Sequence, residues 1–220
     1  MANIKVLYED NHIIAVFKPA GVLSQGDKTG DASLLDEVKM YLKEKYKKPG
    51  NVFAGLLHRL DRPVCGVMLF AKTSKGASRL SQQFRNHEIV KTYQAIVVGK
   101  PAAQKGILTN ILGKDTKTMK ARNFADGKEA KLYYEVVKSH GKYSLLNVKI
   151  EGGQFHQIRS QLSLAGFPIL GDVKYGGQVW SNEKGIALCA TKIIFRTATT
   201  DEIITVSADV PEDWEHYLQK

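Results

Sequence analysis

The sequence predicts an α+β fold: a long, mixed but mostly antiparallel sheet with a few flanking helices. Three observations carry this. Short apolar or alternating runs outnumber helical repeats, the runs between residues 106 and 150 follow one another with no helix between them, and strands and helices alternate without a regular strand–helix–strand repeat. No internal repeat, low-complexity tract or linker divides the 220 residues, so a single domain over 1–220 is expected, long enough for an ample core without disulfides.

Residues 4–8 and 13–17 read as two extended runs separated by the turn-forming Glu9-Asp10-Asn11-His12 and closed by Lys18-Pro19-Ala20-Gly21. After a polar loop at 25–31, Ser33 caps a helix whose Leu34, Leu35, Val38 and Leu42 recur at helical spacing. Its basic last turn suits the helix dipole, and Pro49-Gly50 stops it. The run 66–71 is wholly apolar after its glycine, which predicts a strand buried on both faces. A helix over 74–87 places Leu80 and Phe84 four apart, and a strand covers 91–98. Strands then follow at 107–112, 131–138 and 143–150, with a basic hairpin tip at 114–122. A helix at 155–165, a turn at Gly166-Phe167-Pro168, a loop through 171–177 and strands at 186–195 and 202–208 complete the chain.

Thirty-two Lys and Arg against 22 Asp and Glu leave a formal charge of +10. Such self-repulsion is tolerated for a polyanionic partner such as nucleic acid, for an anionic membrane surface, or simply for solubility; charge alone does not choose. Cys65 and Cys189 make no disulfide framework, and no C-x-x-C or His-rich spacing suggests zinc. The first eight residues do not read as a secretory signal, and no stretch approaches the roughly 18 consecutive apolar residues of a membrane span. A reducing, cytoplasmic setting is expected.

Three clusters carry chemical potential. His58-Arg59-Leu60-Asp61-Arg62 stands just before the buried strand; if extended, it places Arg59 and Asp61 on one side and His58 and Leu60 on the other. A carboxylate flanked by two guanidinium groups stays ionised, which suits a nucleophile or charge stabiliser better than a general acid, although an exposed ion-paired turn has the same signature. Glu151-Gly152-Gly153-Gln154-Phe155-His156-Gln157-Ile158-Arg159 leads from strand to helix, with Phe155, Ile158 and Leu162 as the expected buried stripe and His156 and Arg159 on a neighbouring face. Lys91-Thr92-Tyr93 enters a strand in which Tyr93, Ala95 and Val97 point the same way.

Taken in order, these clusters resemble the RluA-type RNA pseudouridine synthases. The motifs are Lys18-Pro19-x-Gly21, His58-Arg59-Leu60-Asp61 with Gly66 and Ala71-Lys72-Thr73, Lys91-x-Tyr93, Gly153-x-x-His156-Gln157-Ile158-Arg159-x-x-Leu162, and Gly166-x-Pro168-Ile169-x-Gly171-Asp172-x-x-Tyr175-Gly176. The resemblance implies the pseudouridine synthase fold with a central cleft, and isomerisation of uridine in tRNA or ribosomal RNA. It makes Asp61 the essential aspartate, Tyr93 the tyrosine against the target base, Arg159 the basic residue pairing with the aspartate, and Arg59 the residue that helps displace the nucleotide from the stack. His58, Arg62, His156 and Gln157 join Arg59 as expected RNA contacts. The chain departs from the common pattern at Val64-Cys65, at Gln154-Phe155 in place of Arg-Thr, and at Cys189 in place of His.

Isomerisation breaks the N1–C1′ bond, turns the base and rejoins it through C5. A carboxylate stabilises or captures the positive charge that develops on the sugar, whether Asp61 attacks C1′, adds to C6 or abstracts a sugar proton. A hydrolase needs a second carboxylate for water, whereas an isomerase excludes water; Glu151 and Asp172 lie close by in sequence, and isomerisation is the better reading. The target uridine must be flipped out, with Arg59 filling its space, Tyr93 against the ring and basic residues between Lys114 and Lys131 on phosphates. No cofactor or metal is called for, and a monomer without an obligate protein partner or an N-terminal RNA-binding domain is expected. A non-catalytic RNA-binding module and a nucleoside hydrolase are the competing readings.

Overall fold

The computed structural model describes residues 4–180 and 185–219, so the extreme ends of the expected 1–220 domain lie outside it. The elements in chain order are β1 Lys5–Glu9, β2 Ile13–Lys18, α1 Leu34–Lys45, β3 Gly55–Leu56, β4 Cys65–Ala71 and α2 Ser74–Arg85. Then come β5 Val90–Val98, β6 Lys105–Asp115, β7 Lys120–Asn123, β8 Lys128–His140, β9 Tyr143–Ile150, α3 Gln157–Leu164, β10 Leu188–Arg196 and β11 Ile203–Ser207. The fold class is α+β, as the pattern predicts. The chain packs as two compact units, residues 1–90 with 190–209, and residues 91–189 with 210–220.

In the first unit β2 pairs antiparallel with β1 and β4, β3 pairs with β4, and β11 pairs with β10. All seven residues of β4 are buried, as its unbroken apolar run requires. Ile13, Ala15, Val67, Leu69, Leu80, Ile193 and Phe195 share one apolar core, with α2 contributing Leu80. Ser33 caps α1 as expected, accepting from the Asp36 N–H while Asp36 accepts from the Ser33 backbone, a reciprocal capping box. Gly66 begins the close approach of β4 to β10: its φ is +124°, and a Cβ there would lie 2.3 Å from the Ala190 carbonyl oxygen. Only glycine fits that backbone and that gap.

In the second unit the antiparallel order is β5-β9-β8-β6-β7. Tyr93, Ala95 and Val97 are all buried on one face of β5, in line with their alternation. Two boundaries differ from expectation. The hairpin tip expected at 114–122 contains a strand, β7, whose Ala121 is its only buried residue; its polar composition hides the alternation. The helix expected from 155 starts at Gln157, because His156 has φ +53° and ends the preceding irregular chain rather than opening a helical turn. Phe155 therefore stands outside the helix and is only partly buried, while Ile158 and Leu162 are core. Arg159, expected beside the apolar stripe, is itself buried.

Candidate active site

Asp61 sits in the irregular segment between β3 and β4, partly exposed, with Arg59 exposed and Leu60 buried. Three side chains of the first unit hold the segment. Ser24 Oγ donates to the Leu60 carbonyl at 2.6 Å and accepts from the Leu60 N–H at 3.2 Å. His58 Nε2 accepts from the Leu69 N–H of β4 at 3.0 Å, and its ring stacks on Phe84 of α2. Accepting there places the proton of a neutral imidazole on Nδ1.

Lys18 is the third. It is fully buried at the end of β2, and its Nζ donates to the carbonyls of Pro19, Val22 and Arg62 at 3.1, 2.7 and 3.1 Å. Burial pushes this ammonium down to about 8, against the pull of Cys65 and Asp61 in the opposite direction. The turn after β2 is thereby locked to the Asp61 segment, together with a 2.8 Å bond from the Gly21 N–H to the Arg62 carbonyl. In the sequence Lys18 stands out only as part of the Lys18-Pro19-x-Gly21 turn motif. The available signal was a lysine closing an apolar strand directly before proline.

Arg62, expected to flank Asp61 and contact RNA, turns elsewhere: its Nε donates to the Gly21 carbonyl and its Nη2 pairs with Asp31 at 2.7 Å. Both partners of that ion pair are about half exposed, so the pair contributes little stability.

Tyr93, Arg159, His156 and Gln157 lie in the second unit. Tyr93 is buried in β5 opposite Val148 of β9. Two residues earlier, Lys91 donates from Nζ to the Gly152 carbonyl, and burial pushes its pKa down. A Cβ on Gly153 would come within 2.9 Å of that Nζ, so glycine admits the lysine to the loop before α3. Gln157 is buried; its amide donates to the Lys131 and Glu151 carbonyls, and its Oε1 accepts from the Gln154 N–H. The geometry shows it strapping the start of α3 to the ends of β8 and β9.

Arg159 makes a bidentate pair with Asp172, Nε to Oδ2 at 2.7 Å and Nη2 to Oδ1 at 2.8 Å. The two side chains are 6% and 1% exposed, so the pair is buried and its planar fork is held in one orientation. Arg159 Nη1 also lies 3.3 Å from His156 Nε2, and His156 Nδ1 lies 2.8 Å from Tyr175 Oη. Because a guanidinium only donates, Nε2 accepts and the Nδ1 proton points to the tyrosine, whose oxygen also accepts from the Ala121 N–H at 2.6 Å. The Tyr175 ring lies 5.1 Å from the Arg159 guanidinium. Asp172 and Tyr175 thus belong to the site's support. Their sequence signal was their place in the ordered motifs, but their contacts depend on a loop that returns to α3. Among the described residues, no group of three His, Cys, Asp or Glu side chains is placed to hold a metal.

The chain matches a family described as RNA pseudouridylate synthase over residues 12–164. It is 34% identical to an uncharacterized RNA pseudouridine synthase of Chlorobaculum parvum, an alignment covering 99% of this chain and 74% of that protein. It is 33% identical to a ribosomal large subunit pseudouridine synthase C of Rickettsia prowazekii, over 94% of this chain and 68% of the relative. Among solved structures, human RNA pseudouridylate synthase domain containing 4 superposes with a TM-score of 0.81 at 22% identity, covering 97% of this chain and 91% of that one, which shows the shared fold. A match across both units, with relatives alike over nearly the whole chain, makes this an RNA-modifying isomerase of the RNA pseudouridylate synthase family.

Proposed function

We propose that residues 1–220 act as one catalytic domain that isomerises particular uridines of tRNA or ribosomal RNA, with Asp61 as the essential residue. The observation that carries the assignment of Asp61 is its setting: a partly exposed carboxylate on a segment fixed by Lys18, Ser24 and His58. Fixing the backbone on both sides of a reacting carboxylate reduces the reorganisation needed when charge develops on the sugar. A ribosomal substrate is supported by the name of the Rickettsia relative.

In this reading the uridine is flipped from its stack, at a cost of a few kcal/mol, and Arg59 occupies the space it leaves. Exposure of Arg59 suits that part. Asp61 acts on the sugar or base while the N1–C1′ bond breaks. Tyr93, held by β5, lies against the ring and assists removal of the C5 proton. Arg159, fixed in plane by Asp172, offers positive charge to the catalytic carboxylate. His58, Arg62, His156 and Gln157 support the RNA-contacting surface chiefly by setting the backbone that carries it. Cys65 and Cys189, both buried, fit a cytoplasmic enzyme, which we take to act as a monomer without an obligate protein partner. Among the described residues no helix is long and apolar enough to cross a membrane.

The test supplies cellular RNA labelled with tritium at uridine C5 to the purified protein and to Asp61→Asn. Tritium release by the wild type alone, with RNA binding retained in both, is the expected result. Release by neither protein overturns the catalytic assignment and favours a binding module; free uracil identifies a hydrolase.

A further inference from the structure

The structure gives Phe155 an unusual setting just before α3. The left-handed backbone of His156, with φ +53°, brings two successive side chains to the same side, where extended chain would send them to opposite sides. Their rings stack with centroids 3.8 Å apart and planes 18° from parallel. The lower ring is immobilised: His156 is bonded to Tyr175 and Arg159, and meets the Tyr175 ring edge-on at 5.6 Å. Phe155 lies outside the apolar stripe of α3 and remains partly exposed.

With His156 stacked on one face of the phenyl ring, the exposed Lys114 of β6 lies over the ring, its Nζ 4.9 Å from the centroid. The adjoining hairpin carries Lys117, Lys120 and Arg122. Its acid, Asp115, is taken up by the Lys117 and Thr118 N–H groups and by Arg122. A rigid, partly exposed aromatic ring covered by a flexible, exposed cation combines the two elements of single-stranded nucleic-acid binding: a stacking surface and charge for the backbone. An exposed cation–π contact is weaker than base stacking, so a base can displace the lysine from the ring.

We propose that Phe155 is a stacking platform for a nucleobase flanking the target uridine, with Lys114 moving to that nucleotide's phosphate. The proposal rests on the reading of this chain as an RNA-acting enzyme, and it makes Phe155 a determinant of sequence context rather than of chemistry.

The experiment measures fluorescence anisotropy of a labelled oligouridine dodecamer and of an abasic ribose strand with the same number of phosphates. The proteins are wild type, Phe155→Ala, Phe155→Trp and Lys114→Ala, each checked for folding by circular dichroism. Phe155→Ala should weaken oligouridine binding about ten-fold while changing abasic binding less than about two-fold, and Phe155→Trp should restore it. Lys114→Ala should weaken both strands and lower the salt slope by about one counterion. Equal losses on the two strands, no loss on oligouridine, or no preference of the wild type for bases overturns the platform. Tritium release by the wild type, followed in parallel, separates this from failure of the catalytic reading: absent release overturns the isomerase assignment, whereas the oligouridine-to-abasic ratio judges Phe155.

Discussion

Replacing Asp172 by Asn leaves the shape of the Arg159 site almost unchanged and removes the negative charge of the Asp172 carboxylate. Asp172 is 1% exposed and holds Arg159 through two bonds of 2.7 and 2.8 Å. The amide can accept one of these bonds, but its NH2 then faces a guanidinium that only donates. Breaking a buried pair by removing one partner costs about 3–5 kcal/mol, several-fold more than an exposed pair is worth. For a chain of this size, that lowers the melting temperature by roughly 6–20 °C. Urea titration followed by circular dichroism measures the free energy directly. Replacing both partners by apolar residues, Arg159→Met with Asp172→Leu, should recover much of the stability without recovering tritium release, because the burial cost of two charges disappears with them. An Asp172→Asn penalty below about 1 kcal/mol refutes the reasoning, since that is the value of a solvated surface pair.

Other outcomes follow from the first unit. Lys18 titrates at about 8 in the fold but near its ordinary 10.5 when unfolded, so between those values the unfolded chain binds the extra proton. The stability difference between wild type and Lys18→Met should therefore shift in favour of wild type by about 2–3 kcal/mol from pH 7 to pH 10. Urea midpoints at the two pH values measure it, and a constant difference contradicts it. Gly66→Ala places a Cβ 2.3 and 2.5 Å from the Ala190 carbonyl oxygen and nitrogen at a φ of +124°. It should cost more than the ~1–2 kcal/mol of left-handed strain alone; a smaller loss in a thermal melt would mean that β4 and β10 separate easily.

Much of the architecture was legible because the chain repeats one physical rule. Residues that alternate, or that are apolar throughout, become half-buried or fully buried strands, as in β5 and β4. Ser33 was recognisable as a helix cap since capping is local chemistry. The start of α3 was not, because apolar spacing included Phe155 in a helical stripe, whereas a left-handed His156 excludes it. Strand β7 escaped notice because one small buried alanine among charged neighbours leaves no periodic signal.

The linear order of its motifs determined the family of this chain, its chemistry and the identity of Asp61, Tyr93 and Arg159 as the residues to test. What each charged group does was decided by tertiary structure. Arg62 lies next to Asp61 in sequence yet pairs with Asp31, while Lys18 reaches the Arg62 carbonyl across 44 positions of chain. Arg159 finds Asp172 13 residues away, through a loop that returns to its helix. Hydrogen bonds and ion pairs act over about 3 Å, and beyond a helical turn or a tight loop sequence distance carries no information about which polar groups come that close. The partners of buried charges follow from where the chain returns to itself, since each must be satisfied by whatever the core leaves within reach.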